Sequence, residues 1–372
     1  MNMTWPRRRE WIALGVGVVG LAGCLLLGLD APRQALLSFL FAFVYFTGLA
    51  VGSLALAMVH PLTGGAWGYF IRPQVLAAAR TLPLMALLVV PILLGMHVLY
   101  PWANADLLAH DALLRQQAWY LNPAFFVFRS IACFVLWLGF LVLFVRGIRD
   151  NLPLPRIAAP GLIVFALTTL LAGTDWIAAL LPHWHSTTFG MLVATGWMLA
   201  AAALAVLAAL GAESAGNPEA PRLLQDLGNL LLMFVLGWSY LAFMQYLTIW
   251  IADLPAENVW YIPRTLTSWR WLAWFLIAFH FLVPFVTLLF LRAKRSRAWL
   301  GAIAGMLLAA NLADAWWLVA PNFHPAGVAV HWTDLCAPVG IGGLWLCVYL
   351  GQLRAERRAT DTGLRPAEAY HG

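Results

Sequence analysis

The residues of this sequence that could do chemistry are the few ionisable side chains set within long apolar runs. Each one costs free energy inside a bilayer unless it is paired or hydrated, so each is a functional hypothesis. Asp175 and Asp314 fall toward the ends of two such runs, and each precedes a proline-containing loop carrying His185 or His324. Arg129 and Arg270 begin the runs before them. An Asp and an Arg on adjacent helices can exchange protons with water, contact a quinol headgroup, or simply staple two helix ends. His280, near the middle of its run, is the deepest titratable group in the chain. An imidazole titrating near neutral pH can relay protons, and a neutral one can hydrogen-bond a neighbouring helix.

Other constellations carry less. His183-Trp184-His185 resembles a chelating pair, but a metal needs further ligands, and Asp175 is the sole local candidate. An interfacial aromatic and histidine loop is the plainer reading, so no metal site is expected. A bis-histidine haem needs a second histidine at the depth of His280, and His97 lies near a run's end. The four cysteines (Cys24, Cys133, Cys336, Cys347) are scattered and lack the close spacing of zinc, iron–sulfur or haem attachment sites. The stretch Leu62 to Gly68 is glycine-rich but has no Lys or Ser/Thr of a phosphate loop, which makes it a tight turn. No catalytic residue and no cofactor-binding residue is expected in this chain.

The elements that must position these residues follow from composition. Hydrophobic residues make up 63% of the 372 and charged ones 10%, far from soluble proportions. Crossing the hydrocarbon core takes roughly 20 apolar residues. Runs of that length lie at 11 to 29, 35 to 59, 81 to 100, 124 to 145, 158 to 181, 186 to 210, 226 to 252, 269 to 291, 298 to 319 and 333 to 352. The expected fold is an all-α polytopic membrane protein of about ten transmembrane helices. The first run follows Arg7, Arg8 and Arg9 without a small-residue cleavage site and is read as a retained helix.

Orientation follows from Lys and Arg. With the N-terminus in the cytoplasm, 17 fall on the inner side, among them Arg72, Arg80, Arg146, Arg149, Lys294 and Arg365. The other 5 (Arg33, Arg115, Arg129, Arg264, Arg270) lie outside, which accounts for all 22. Both termini are therefore expected in the cytoplasm, in a bacterial inner membrane. The net charge of +6 belongs to these flanks and implies no nucleic-acid partner.

An internal repeat is also legible. Trp119-Tyr120 precedes Arg129 as Trp260-Tyr261 precedes Arg270, and Asp175, Pro182 and His185 are spaced as Asp314, Pro321 and His324. The offsets, 141 and 139 residues, relate helices 2–5 to helices 6–9. Four helices separate the copies, so the repeat is parallel. The expected organisation is residues 1–34 (tail and first helix), 35–181 and 182–325 (two pseudo-symmetric four-helix bundles), and 326–372 (tenth helix and tail).

Longer strings carry a resemblance. HPLTGGAWGYFIRP at 60–73 leading into RTLP at 80–83, WYLNPAFFVFR at 119–129, DWIAALLPHWHST at 175–187, and YLAFMQYLTIWIADLP with WYIPR between 240 and 264 resemble the F subunit of bacterial alternative complex III, a quinol:cytochrome c oxidoreductase. The resemblance runs from about residue 40 to 350. It implies two four-helix bundles plus two outer helices, as in the membrane subunits of polysulfide and nitrite reductases. It further implies a cofactorless chain, structural and proton-conducting, beside a related quinol-binding membrane subunit. Haem c and iron–sulfur clusters would belong to multihaem cytochrome and iron–sulfur partners, and quinol to the neighbouring subunit.

The function expected is thus an integral subunit of a quinol-oxidising respiratory complex, with a proton pathway through Asp175, Asp314, His280, Arg129, Arg270, His185 and His324. Two alternatives stay open: a secondary transporter, and a purely architectural membrane anchor.

Overall fold

The computed structural model describes residues 7–211 and 220–361. Arg365 and the tail around it, counted above with the basic flank, lie outside the described residues. Among the described residues every regular element is helical, and ten helices are long and apolar enough to cross a membrane. The chain is an all-α polytopic membrane protein. Its long helices are α1 (Arg7–Gly28), α2 (Pro32–Thr63), α3 (Ala66–Leu94), α4 (Pro123–Arg149), α5 (Pro155–Trp176), α6 (Phe189–Leu210), α7 (Ala220–Ala252), α8 (Arg270–Leu289), α9 (Arg297–Val319) and α10 (Thr333–Asp361).

Helices α1 and α10 run antiparallel as an intimate pair. A Cβ on Gly17 would stand 2.6 Å from the Leu344 backbone nitrogen, and one on Gly20 would stand 2.6 Å from that of Gly340. Small residues on both helices let the backbones meet, the usual device where lipid offers no hydrophobic drive. An ion pair between Glu10 and Arg354 closes the same seam. Both described chain ends therefore lie on one face, called the terminal face below. The connections α1–α2, α3–α4, α5–α6, α7–α8 and α9–α10 lie on the opposite, distal face.

Helices α2 and α6 are the most enclosed of the ten. They close on each other at Gly48 and Gly52, where any Cβ would collide with Trp197 of α6. The remaining neighbours pair helix by helix. Helix α2 packs on α3 and α5, and α6 packs on α7 and α9. Helix α4 packs on α5, α8 packs on α9, and the cross-contacts include α2 with α9, α3 with α6 and α5 with α6.

Helix α3 departs from the expected run. It begins at Ala66, directly after a reversal in which Gly64 and Gly65 take positive φ (70° and 96°), rather than near residue 81. Arg72 thus lies within a helix and Arg80 at a turn inside the same membrane span, not in a loop between spans. The apolar count failed there because Arg80 carries its own counter-charge from another element. Its Nη1 meets Glu356 Oε1 of α10 at 2.5 Å, and the glutamate is fully buried.

Candidate functional site

At the distal end of the first half, Arg129 and Asp175 form a closed ionic pair. Asp175 stands one residue from the end of α5, where the helix dipole is unfavourable to an anion. Arg129, two turns into α4, offsets this with two parallel hydrogen bonds, Nε to Oδ2 at 2.6 Å and Nη2 to Oδ1 at 3.0 Å. The Tyr120 hydroxyl donates to Oδ1 at 3.1 Å, and Arg129 Nη1 donates to the Tyr120 carbonyl at 2.9 Å. The guanidinium also lies over the Tyr120 and Phe125 rings, 3.9 and 4.3 Å from their centroids. Both partners of the pair are buried, and the carboxylate's two oxygens carry three hydrogen bonds.

The second half is built differently. Arg270, expected to mirror Arg129, is exposed and lies against its neighbour Trp271, with no ion pair to Asp314. Arg264, six residues earlier and expected in a loop, is fully buried. Its guanidinium stacks on Trp260, 3.5 Å from the centroid, and Trp260 stacks in turn on Trp184 at 4.3 Å. Nη1 donates to the Trp260 carbonyl at 2.8 Å, and Nη2 donates to the Leu318 carbonyl at 3.0 Å, capping the end of α9. Burial pulls the Arg264 guanidinium down from its ordinary 12.5 to about 9, so it stays a cation at neutral pH. The arginine of this half is spent on helix carbonyls, and Asp314 has no cation beside it.

Asp314 belongs instead to a deep polar cluster. His280 sits at the middle of α8, inside a π-helical segment from Ile277 to Leu282. Pro284 explains the widened turn, because it has no N–H for the His280 carbonyl and its ring would crowd that oxygen. Asn311 of α9 donates from Nδ2 to the Leu307 carbonyl at 3.1 Å and meets His280 Nε2 at 2.8 Å. With Nε2 as acceptor, the proton sits on Nδ1, which is buried without a partner among the described residues. The Trp238 ring of α7 lies 4.0 Å from the imidazole centroid. Its indole nitrogen interacts with Asp314 at a geometry short of a normal hydrogen bond. Asn311 and Asp314, three apart, share a face of α9. His280 and Asp314, assigned separately from sequence, are thereby brought into one cluster.

The loop histidines are apart from both. His185 is exposed and meets Gln117 at 3.4 Å. His183 meets Asp111 at 2.8 Å. The Asp111 carboxyl is held below its ordinary 3.8, chiefly by the Leu114 backbone N–H, then by that of Leu113 and by His183. His324 meets Gln34 at 2.7 Å, and Gln34 donates to Asp334 at 3.1 Å. Asp334 also accepts from Ser38 at 2.6 Å and from the His331 backbone N–H at 3.0 Å. That network ties the starts of α2 and α10 together. Among the described residues no three His, Cys, Asp or Glu side chains converge on a metal position.

Sequence reasoning passed over Asn311, Trp238, Arg264, Gln34, Asp334 and the pair of Arg80 and Glu356. Asn311 was legible, since it precedes Asp314 by one helical turn. The others needed tertiary packing. No protein-family model matches the chain, and a search of curated proteins finds no match.

Proposed function

We propose that the chain is an integral membrane subunit of a quinol-oxidising respiratory complex of the alternative complex III type, structural and proton-conducting, with its redox groups held by partner subunits. The family reading rests on the four sequence strings between residues 60 and 264. The observation that carries the proton role is the cluster of Trp238, His280, Asn311 and Asp314 near the middle of the second half's helices. A carboxyl with no cation beside it can gain and lose a proton without breaking an ion pair, and a buried imidazole one asparagine away can relay it. Asp175 would have to surrender two charge-assisted hydrogen bonds for the same step. The proton path therefore runs through the second half, and the pair of Arg129 and Asp175 holds helices. In the orientation given by Lys and Arg, the distal face is periplasmic and both termini are cytoplasmic.

The test is mild-detergent purification of the tagged chain from its native membrane, followed by haem spectra and mass spectrometry. Co-purifying multihaem cytochrome and iron–sulfur proteins support the reading, and a colourless chain alone or with copies of itself overturns it. In the intact complex, Asp314→Asn lowers proton release per quinol oxidised; unchanged coupling refutes the proton role.

One observation favours a second reading. A helix interrupted by a π segment and a proline, facing polar groups at mid-depth, is also how secondary transporters build substrate sites. Solute uptake into vesicles containing only this chain would establish it.

A further inference from the structure

Helix α6 faces both halves of the protein through two adjacent residues. Trp197 turns to α2, where Gly48 and Gly52 are needed because a Cβ at either position would stand 2.3 Å from the nearest Trp197 atom. Gly196 turns the other way, to Trp238 of α7 and Asn311 of α9. Packing does not ask for a glycine there. A Cβ would stand 3.5 Å from Trp238 Cδ1, 3.8 Å from Trp238 Nε1 and 3.8 Å from Asn311 Oδ1, all ordinary contact distances. Gly190, on the same helix, has no such latitude, since a Cβ would strike the Leu170 backbone at 2.6 Å. Glycine weakens a helix relative to alanine, so Gly196 calls for a reason other than close approach.

The atoms around Gly196 supply one. Trp238 and Asn311 are 7% and 6% exposed, and the Trp238 indole N–H has no hydrogen-bond partner among the described residues. Asn311 uses its amide nitrogen for both of its bonds, to the Leu307 carbonyl and to His280 Nε2. Its amide oxygen is the atom turned toward Gly196. A buried donor and a buried acceptor, from two different helices, thus border the same position at the same distance. Asp314, one helical turn along α9 from Asn311, interacts with the same indole nitrogen. A buried water makes about two to four hydrogen bonds to polar groups of this kind, and these three side chains provide them.

We propose that Gly196 makes a site for one water molecule, held between the Trp238 indole N–H and the Asn311 amide oxygen and directed at the Asp314 carboxyl. This rests on the proton-conducting reading above and gives it a carrier. A water accepts a proton from the carboxyl on its oxygen and releases another of its own protons onward. The Asn311 amide, which keeps its N–H bonds throughout, positions the water and does not itself carry the charge.

The test uses the full chain in nanodiscs with isotope-labelled tryptophan, following magnetisation transfer between water and the Trp238 indole N–H, a signal assigned by its loss in Trp238→Phe. The native chain shows a cross-peak to water. Gly196→Ala loses it, because the methyl group takes the water's position, and keeps a native unfolding midpoint in graded SDS. Gly305→Ala, on α9 with open space around it, keeps the cross-peak. In the intact complex, Gly196→Ala lowers proton release per quinol oxidised to the level of Asp314→Asn. Absence of the cross-peak from the native chain, or an undiminished one in Gly196→Ala, overturns the proposal. So does a lowered midpoint for Gly196→Ala, which would mean that packing itself requires the glycine. Coupling lost in Asp314→Asn yet untouched in Gly196→Ala sinks the water's role and leaves the proton reading standing. A cross-peak removed by Gly196→Ala, with full coupling in Asp314→Asn, sinks the proton reading and leaves the water site standing.

Discussion

Replacing Asp175 and Asp314 separately by asparagine separates a helix staple from a proton carrier. Asp175→Asn leaves the Arg129 guanidinium buried, with the Tyr120 carbonyl and two aromatic faces but no anion. Removing one partner of a buried ion pair costs about 3–5 kcal/mol. The retained ring contacts, worth about 1–2 kcal/mol when desolvated, argue for the lower end, near ~3 kcal/mol. At about 1.4 kcal/mol per decade, that is roughly two orders of magnitude in the folded to unfolded ratio. Asp314→Asn breaks no ion pair and no hydrogen bond of normal geometry, and it keeps shape, so its cost stays within about 1 kcal/mol. The assay is unfolding of the purified chain in graded SDS, followed by tryptophan emission, with proton release measured on the intact complex. The expected result is a shifted midpoint for Asp175→Asn with a near-native one for Asp314→Asn, which alone loses coupling while intact. A native midpoint for Asp175→Asn, or an equal loss for both, would refute the reasoning.

Further predictions concern packing and the distal loops. Gly52→Ala forces α2 away from the Trp197 backbone and should cost about 1–3 kcal/mol, read in the same SDS titration; Gly305→Ala, with open space around it, should cost nothing measurable. Arg264→Met removes the cap on α9 and the cation over Trp260, and should red-shift tryptophan emission and lower the midpoint by about 2 kcal/mol or more; Arg270→Met, exposed, should do neither. Asp111 is held below 3.8 in the folded loop, so its contribution is present above that value and is lost as pH falls through the lower folded value. The contact with His183 should therefore loosen only in strongly acidic buffer, seen as faster hydrogen exchange at Leu113 and Leu114, and Asp111→Asn should abolish that pH dependence.

Helix number and most boundaries were legible because lipid demands apolar length, and length is a property of sequence alone. The failure at α3 has the complementary cause. Arg80 reads as a loop residue until Glu356, 276 positions later, is known to neutralise it. The candidate site divides the same way. Arg129 and Asp175 could be paired from their places on successive helices, and they are paired. The parallel inference for Arg270 and Asp314 assumed that the two halves keep the same chemistry at matching positions. Arg264 defeats it, because a guanidinium already stacked on Trp260 and bound to the α9 carbonyls does not need a carboxylate. Asn311 was overlooked because an uncharged amide attracts no notice in a search for titratable groups, although it is the side chain that contacts His280.

The difference between the halves is itself an argument about mechanism. Both place an aspartate in the distal half of a helix, and both place an arginine where it can reach the helix end. In the first half the arginine takes the carboxylate, which fixes the charge and the helices together. In the second half the arginine takes the backbone, so the helix end is satisfied by other means and the carboxylate is left to the interior cluster. A carboxylate needed only as a staple would gain most from the first arrangement, since an unpaired one in the bilayer is costly. Asp314 carries that cost beside a π-widened turn and, among the described residues, an imidazole N–H and an indole N–H without hydrogen-bond partners. Widened π turns and unsatisfied buried donors recur at sites that move charge or ligand. The site expected to work is therefore the aspartate without an arginine, and the aspartate paired with Arg129 holds the framework still.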